Sequence, residues 1–572
     1  MQIDQPIMST SDSEVLMEEE ASTISSTHLK HVSLLNNGPK TKEQLMKCCK
    51  TSSGYQIRRL KNKGAIMVLI WSYLFTSLFH FYDKGASEHR LLQLVVWCLT
   101  LPFAGWLGDV YFGRYKLIHW SMWIMWVAYM LVVASSVVAK LVESYDKIND
   151  YACNVLIIII SVALGGFQAN VIQFGIDQLH DASTSEVTSF ISWCIWTGFS
   201  SGMVIGYALQ CVQKEYHIVV MLVIFIHLSI ALGSVFLCNH WLLKEPVTQN
   251  PFKLVYKVIK YAINNKYPRD RSAFTYCEDD LPSRIDFGKA KYGGPFTTEQ
   301  VEDVKTFLRL LAIILIGSCL FGELIASDLL MTKISDMLIS SHTTVDNIVD
   351  KPLDTCYSEE AFTLTLYYCG AIVIPLYEFF FYPLFRRYLT NVGSQKKLVT
   401  GMALYIITTI SLMLLEIVAR HNYLENTNNN TLQCVFHETS SALSTSIDYR
   451  WLAIPYFFRS TSIVVVSMGA IEFIASQAPY SMRGLIMGTV YGMLLLSGAL
   501  GIALSIPFTK RLSVWGTGII SCGFWYALQL LVIQVTMGIT LIVIMKWYKK
   551  RKREDVLPNE HIFAERYYST DS

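Results

Sequence analysis

Charge is scarce in this chain: Asp, Glu, Lys and Arg make up 16% of its 572 residues, against 52% apolar ones. Several other things are missing. No Gly-x-x-x-x-Gly-Lys-Ser/Thr loop is present to cradle a nucleotide phosphate, which excludes an ATP-driven pump. No His-Glu-x-x-His or Cys-x-x-Cys spacing offers a zinc site, and the Gly-x-Ser-x-Gly string at Gly198–Gly202 lies inside an apolar run rather than on the strand-to-helix turn a nucleophile needs. A repeated filter motif is absent, which argues against a channel. A net charge of +2 with no basic, aromatic-interleaved patch gives nucleic acid nothing to bind. An enzyme is not expected, nor a cofactor or a metal ion.

What is present is apolar length. Runs of about twenty apolar residues, enough to cross a bilayer, recur along nearly the whole chain. About twelve can be counted, the first near Ala65–Tyr82 and the last near Ile519–Met545. The expectation is an all-α, polytopic membrane protein that binds lipid throughout. Lys42, Lys47, Lys50, Arg58, Arg59, Lys61 and Lys63 precede the first run, and Lys546-Trp-Tyr-Lys-Lys-Arg-Lys-Arg553 follows the last. Positive flanks stay on the cytoplasmic side, so both termini are expected there. Asp177–Glu186, without Lys or Arg, and Lys510-Arg511 fit that rule less well. The division expected is a disordered tail over 1–62, a six-helix half over 63–242, a cytoplasmic linker over 243–305, a second six-helix half over 306–546 and a tail over 547–572. The first tail is polar and Ser/Thr-rich with an acidic run at Glu18-Glu19-Glu20, and too poor in apolar surface to fold alone. No cleaved leader is expected, because the first apolar run lies well past it.

Polar groups inside apolar runs are expensive and mark function or tight pairing. Glu472 is the one carboxylate in the run from Trp451, in Ser467-Met-Gly-Ala-Ile-Glu-Phe-Ile-Ala-Ser-Gln-Ala-Pro-Tyr-Ser-Met-Arg483. It either pairs with a neighbouring helix or serves a solute or a proton. Glu323 and Asp328 lie in the seventh run; five residues apart, they do not share a face, whereas Glu323 and Ser327 do. Glu416 near Arg420 reads as an interfacial ion pair. Gly198, Gly202 and Gly206 form an i, i+4, i+8 stripe expected to pack against another helix. An outward loop over 420–450 carries a glycosylation sequon at Asn429, and Cys356 and Cys434 are the disulfide candidates on that oxidising side.

Between the second and third runs stands Gly105-Trp-Leu-Gly-Asp-Val-Tyr-Phe-Gly-Arg-Tyr-Lys116. Gly105 and Gly113 permit a tight turn, and Asp109 with Arg114 can tie helix ends together. This resembles the Gly-x-x-x-Asp-x-x-Gly-Arg signature of the major facilitator superfamily, in which two six-helix halves rock around a central site. The linker contributes the basic amphipathic stretch Asn250-Pro-Phe-Lys-Leu-Val-Tyr-Lys-Val-Ile-Lys260, suited to an anionic leaflet. It also holds Asp286-Phe-Gly-Lys-Ala-Lys-Tyr-Gly-Gly-Pro-Phe, with a capping box at Thr297-x-x-Gln300. Ile374-Pro-Leu-Tyr-Glu-Phe-Phe-Phe-Tyr-Pro-Leu-Phe-Arg-Arg387 ends the eighth run.

With these segments the chain resembles the proton-coupled oligopeptide transporters, the peptide and nitrate transporter family, over roughly residues 60–545. The resemblance implies a secondary transporter of small polar solutes, with a central cavity lined by Tyr73, Thr76, Ser77, Gln168 and Glu472. Protons are implied as a further partner, with Glu323, Asp328 and Glu472 as their candidate sites. The departures are pointed. Where the family has a first-helix Glu-x-x-Glu-Arg, this chain has Tyr73, Thr76 and Ser77, and the fourth-helix Lys is replaced by Gln168. Charge-assisted donors for a carboxylate are lost. Amines, cations or uncharged polar solutes are therefore expected over ordinary peptides and anions, without assured proton coupling. A solute sensor or scaffold on the same fold is the alternative.

Overall fold

The structure, a computed structural model, describes residues 62–82, 87–141, 146–179, 182–265, 267, 282–343, 361–384, 393–427, 449–510 and 522–548, some of them (among them 76–82, 202–220, 328 and 361–367) as backbone alone. The apolar runs form helices: α1 (Lys63–Tyr82), α2 (Ser87–Leu107), α3 (Arg114–Leu141), α4 (Asp146–Asp177) and α5 (Thr184–Cys238). The linker forms α6 (Pro251–Asn264), and the second half forms α7 (Thr298–Thr343), α8 (Ala361–Leu376), α9 (Ser394–Thr427), α10 (Ala453–Gln477), α11 (Arg483–Lys510) and α12 (Cys522–Trp547). Among the described residues, eight helices are long and apolar enough to cross a membrane, and Lys63–Phe75 and Tyr368–Leu384 are shorter apolar ones.

The 55-residue α5 is more than twice what a bilayer needs. It nevertheless serves as two spans. On α1, Trp71 donates its indole N–H to Ser234 Oγ at 2.8 Å, while the next residue, Ser72, bonds Thr197 Oγ1 at 3.0 Å. Thr197 and Ser234 would lie about 55 Å apart on a straight helix, so the chain doubles back between them. The polar Gln213-Lys214-Glu215 sits in that stretch.

The main core runs through the first half, around Trp71, Phe75, Tyr129, Phe174 and Phe190, and continues into the ends of α9, α10 and α11 nearest the Gly105–Lys116 turn. A separate cluster fills the other end of the second half, where Leu330, Leu412, Tyr456 and Tyr526 meet. Large apolar side chains such as Leu99, Phe103 and Ile230 face outward, as they do in a protein solvated by lipid.

In the linker, Asn250 caps α6 by accepting from Phe252 N–H at 3.1 Å, with Pro251 in the first turn. The expected capping box opens α7: Gln300 N–H donates to Thr297 Oγ1, and Thr297 N–H to Gln300 Oε1, both at 3.2 Å. Val258 of α6 packs on Val301 and Val304. Beside them Lys289 reaches Asp286 at 2.7 Å, and Lys305 and Glu302 close the cluster. Burial works against the Asp286 carboxylate, but hydrogen bonds from Lys289, Lys305 and Ser283 outweigh it and hold the carboxyl below its usual range. A depressed folded-state value means stabilisation that is present above about pH 4 and lost only as pH falls further. Amide protection factors across 283–305, corrected for the intrinsic pH dependence of exchange, should thus stay flat from neutrality to about pH 5. Asp286→Asn should lower them, through loss of about 1.5–3 kcal/mol of charged hydrogen bonding.

Candidate functional site

The signature turn is built by a break in regular helix. After Leu107 the chain widens into a five-residue π turn, Gly108–Phe112, and Gly113 at φ 79° reverses it, a backbone angle that side-chain-bearing residues avoid. Asp109 is thereby aimed out of its own half and across to the other. Its Oδ2 accepts from Leu485 N–H at 3.0 Å, which supplies an orphan donor in the first turn of α11 with a carboxylate at the positive helix end. Thr248 ties the same place, donating its hydroxyl to Asp109 O and its amide N–H to the same carbonyl at 2.8 Å.

Arg114 holds Asp109 in position. It donates through Nε at 3.0 Å and Nη2 at 2.8 Å to Asp109 Oδ1, and through Nη1 to Asp177 at the end of α4. Glu245 lies 3.6 Å from Arg114 and accepts from Tyr480 at 2.9 Å. Burial and the charge of Asp177 push the Glu245 carboxyl up, against the pull of Arg114 and Tyr480. Gln173 donates to Asp177 at 2.8 Å, and Arg483 sits 3.8 Å from it. Five charges from both halves are therefore gathered at one buried junction. The sequence named Asp109 and Arg114; Asp177, Glu245, Arg483 and Tyr480 come from distant segments and carry no local pattern.

Backbone contact makes this junction tight. A Cβ on Gly105 would stand 2.1 Å from Gly484 O, and one on Gly488 2.3 Å from Leu101 O. Gly484, Gly488 and Gly492, at i, i+4 and i+8 on α11, are the packing stripe of this protein. The stripe expected from Gly198, Gly202 and Gly206 is corrected at Gly198, where a Cβ would meet nothing within 4 Å.

The second half repeats the device. After Leu376, α8 ends in its own five-residue π turn, Tyr377–Phe381, again with an acid in second place. Glu378 is 2% exposed, like Asp109, and accepts from Ser189 Oγ of α5 at 3.1 Å. Trp196 of α5 donates to Ala371 O of α8 at 3.0 Å, and Phe199 fills the space beside Gly370. The two halves thus clasp each other twice at the signature end, α2 with α11 and α8 with α5.

The expected solute residues fare unevenly. Tyr73 is half-buried on α1 within the main core, while Thr76, Ser77 and Asp328 have only their backbones among the described residues. Gln168 points a buried Oε1 that has no hydrogen-bond partner among the described residues. Glu323 is fully buried, and neither carboxylate oxygen finds a donor among them. Of the two readings of Glu472, the structure shows the pairing with a neighbouring helix. Lys397 of α9 lies 2.7 Å from it, both side chains 11% exposed, one turn or so from the helix ends at the signature end. Glu472 is a helix-paired carboxylate near the interface. Glu416 is buried beside Gly523 of α12, and the side chain of Arg420, its expected partner, lies outside the described residues. Reading the sequence passed over Arg459, buried on α10 with Nη1 3.5 Å from Met331 Sδ, although a lone Arg in an apolar run was signal enough. Asn429, Cys356 and Cys434 lie outside the described residues.

Two clasped helical halves, lipid-facing apolar surfaces and buried polar residues define a polytopic membrane protein of the major facilitator fold. The family model described as PTR2, POT family, matches residues 369–526. Human solute carrier family 15 member 5 is 24% identical over 227 residues, covering 38% of each chain. Rat solute carrier family 15 member 3 is 23% identical over 488 residues, covering 76% of this chain and 80% of that one. The crystal structure of an auto inhibited POT family peptide transporter superposes with a TM-score of 0.54 at 16% identity, covering 86% of this chain and 99% of that one. The POT family transporter PepTSo gives 0.55 at 15% identity, with the same coverage. The chain is thus similar to POT family transporters, over residues 369–526 by the family model and over most of its length by the solute carrier family 15 relatives and the solved structures.

Proposed function

We propose that the protein is a secondary transporter that moves small polar solutes by alternating access, held here in the form closed on the cytoplasmic side. The observation that carries this reading is the pair of matched clasps, Asp109 on α11 and Glu378 with Ser189, both at one end of the bundle. A rocking mechanism needs inter-half contacts that can be made and broken as a set. The Lys and Arg clusters favour that end as cytoplasmic, with both tails there; the plasma membrane and an endolysosomal membrane fit equally.

Solute class follows from what the buried groups lack. Gln168 Oε1 and the Glu323 carboxyl are acceptors without donors among the described residues, and an amine, amide or hydroxyl supplies what they need. The proposed binding set is Tyr73, Thr76, Ser77 and Gln168, with Glu323 and Asp328 as the acids for any coupled proton. Proteoliposomes given labelled dipeptides, histidine, amines and nitrate, with and without an inward proton gradient, test this. Amine or neutral-solute uptake is expected to lead. Gradient dependence that disappears in Glu323→Gln would assign coupling to that acid, and gradient-independent uptake would mean a facilitator. Nitrate or free dipeptides dominating would overturn the solute class. A folded protein silent across the panel would favour a sensor or scaffold.

A further inference from the structure

Helix α6 carries three different faces along its length. Val255, Val258 and Ala262 turn inward toward the base of α7. Phe252, Tyr256, Ile259 and Ile263, at i, i+4, i+7 and i+11, form a second stripe, of which Phe252, Tyr256 and Ile263 are exposed. Lys253, Lys257 and Lys260 form a third, directly beside it. The helix holds no Asp or Glu. None of the three lysines makes an ion pair among the described residues; Lys260 lies over the Tyr256 ring at 5.6 Å.

Two observations fix what this surface meets. The Phe252 ring packs edge-on against Trp106, 5.8 Å between centroids, and Trp106 is in the last turn of the spanning helix α2. Around Trp106 are Tyr111, and the exposed Phe103, Phe112 and Trp120, an aromatic girdle of the kind that marks the headgroup level. The α6 apolar stripe continues that girdle. Val258 packs on Val301 and Val304 and seats the helix on the base of α7, which the cluster of Asp286, Lys289, Glu302 and Lys305 ties to the neighbouring linker turn, so its depth is set by the fold.

We propose that α6 is a lipid-binding element lying in the plane of the membrane at the signature end, with Phe252, Tyr256 and Ile263 among the acyl chains and Lys253, Lys257 and Lys260 on anionic phospholipid headgroups. Because α6 packs on α7 and touches α2, one lipid-bound helix contacts both halves in the clasped form. The proposal rests on α6 geometry and charge and stands whether or not the protein transports.

The test uses the full chain in nanodiscs of phosphatidylcholine or of an equal mixture with phosphatidylserine. A photo-crosslinking residue in place of Tyr256 should capture lipid, in both compositions. By native mass spectrometry the wild type should retain phosphatidylserine over phosphatidylcholine. Each Lys→Gln change at 253, 257 or 260 should weaken that preference about fivefold, and all three about a hundredfold. The triple Lys→Arg protein should keep it, which separates lost charge from lost folding. Raising salt should weaken it too. Crosslinks to protein alone, or a triple Lys→Gln protein that retains phosphatidylserine like the wild type, would overturn the proposal.

Discussion

Gly105→Ala is expected to hold the protein open at the signature end and to cut uptake by about a hundredfold. The added methyl would lie 2.1 Å from a backbone carbonyl, Gly484 O, which no rotamer change can move. Relief requires α2 and α11 to part. Overpacking of this kind costs about 3 kcal/mol at most sites where backbone must yield, and here the whole cost falls on the clasped form. The opposite form has no such contact to lose, so the equilibrium shifts rather than the fold. Cys98 reports the change, since it is buried on α2 with its carbonyl 2.9 Å from where a Gly492 Cβ would stand. Alkylation of Cys98, followed by peptide mass spectrometry, should be slow in the wild type and fast in the variant. Equal labelling together with undiminished uptake would show that α2 and α11 do not form the gate.

Arg114→Gln should be comparably severe for a different reason. The guanidinium bridges Asp109 and Asp177 and lies near Glu245, so its loss leaves buried carboxylates facing one another without a cation between them. Removing one member of a buried ion network costs about 3–5 kcal/mol, mostly from the charge left behind. Arg114→Lys is expected to rescue little, because an ammonium cannot span both carboxylates as the planar fork does. Asp177→Asn should be milder, since Arg114 keeps Asp109 and loses only one partner. Thermal unfolding of the purified protein, read beside Cys98 labelling, separates the outcomes. A clasp defect raises labelling at modest cost in melting temperature, whereas wild-type behaviour in Arg114→Gln would mean the network contributes nothing to closure.

The matched π turns bear on how the gate arose within one chain. Asp109 and Glu378 occupy the same place in the second helix of each half and reach the opposite half's fifth helix, yet their flanks share no obvious motif. Gly-Asp-Val-Tyr-Phe and Tyr-Glu-Phe-Phe-Phe look unrelated as strings. The likeness lies in backbone geometry and in the acid's position, which a linear pattern search does not register.

Local chemistry made much of the protein legible. Apolar length gave the spans, Thr297 and Gln300 announced the start of α7, Asp109 and Arg114 marked the buried signature junction, and the basic stripe of α6 stood out by composition. Each of these depends on neighbours within a turn or two, or on membrane thickness, and the residues themselves contain that information. The partner of Glu472, the burial of Glu416 and the space beside Gly198 were not legible in the sequence because other helices supply them: Lys397 from α9, Gly523 from α12, and open space beside α5. A buried charge is defined by what surrounds it, and its surroundings lie 75 residues away in the case of Lys397. The sequence alone therefore determined a helical membrane protein with an acid–arginine signature turn between its second and third spans. Tertiary structure decided which carboxylates are paired, which glycines touch and which helices of the two halves meet at the signature end, because those depend on close packing between segments that chain order does not bring together.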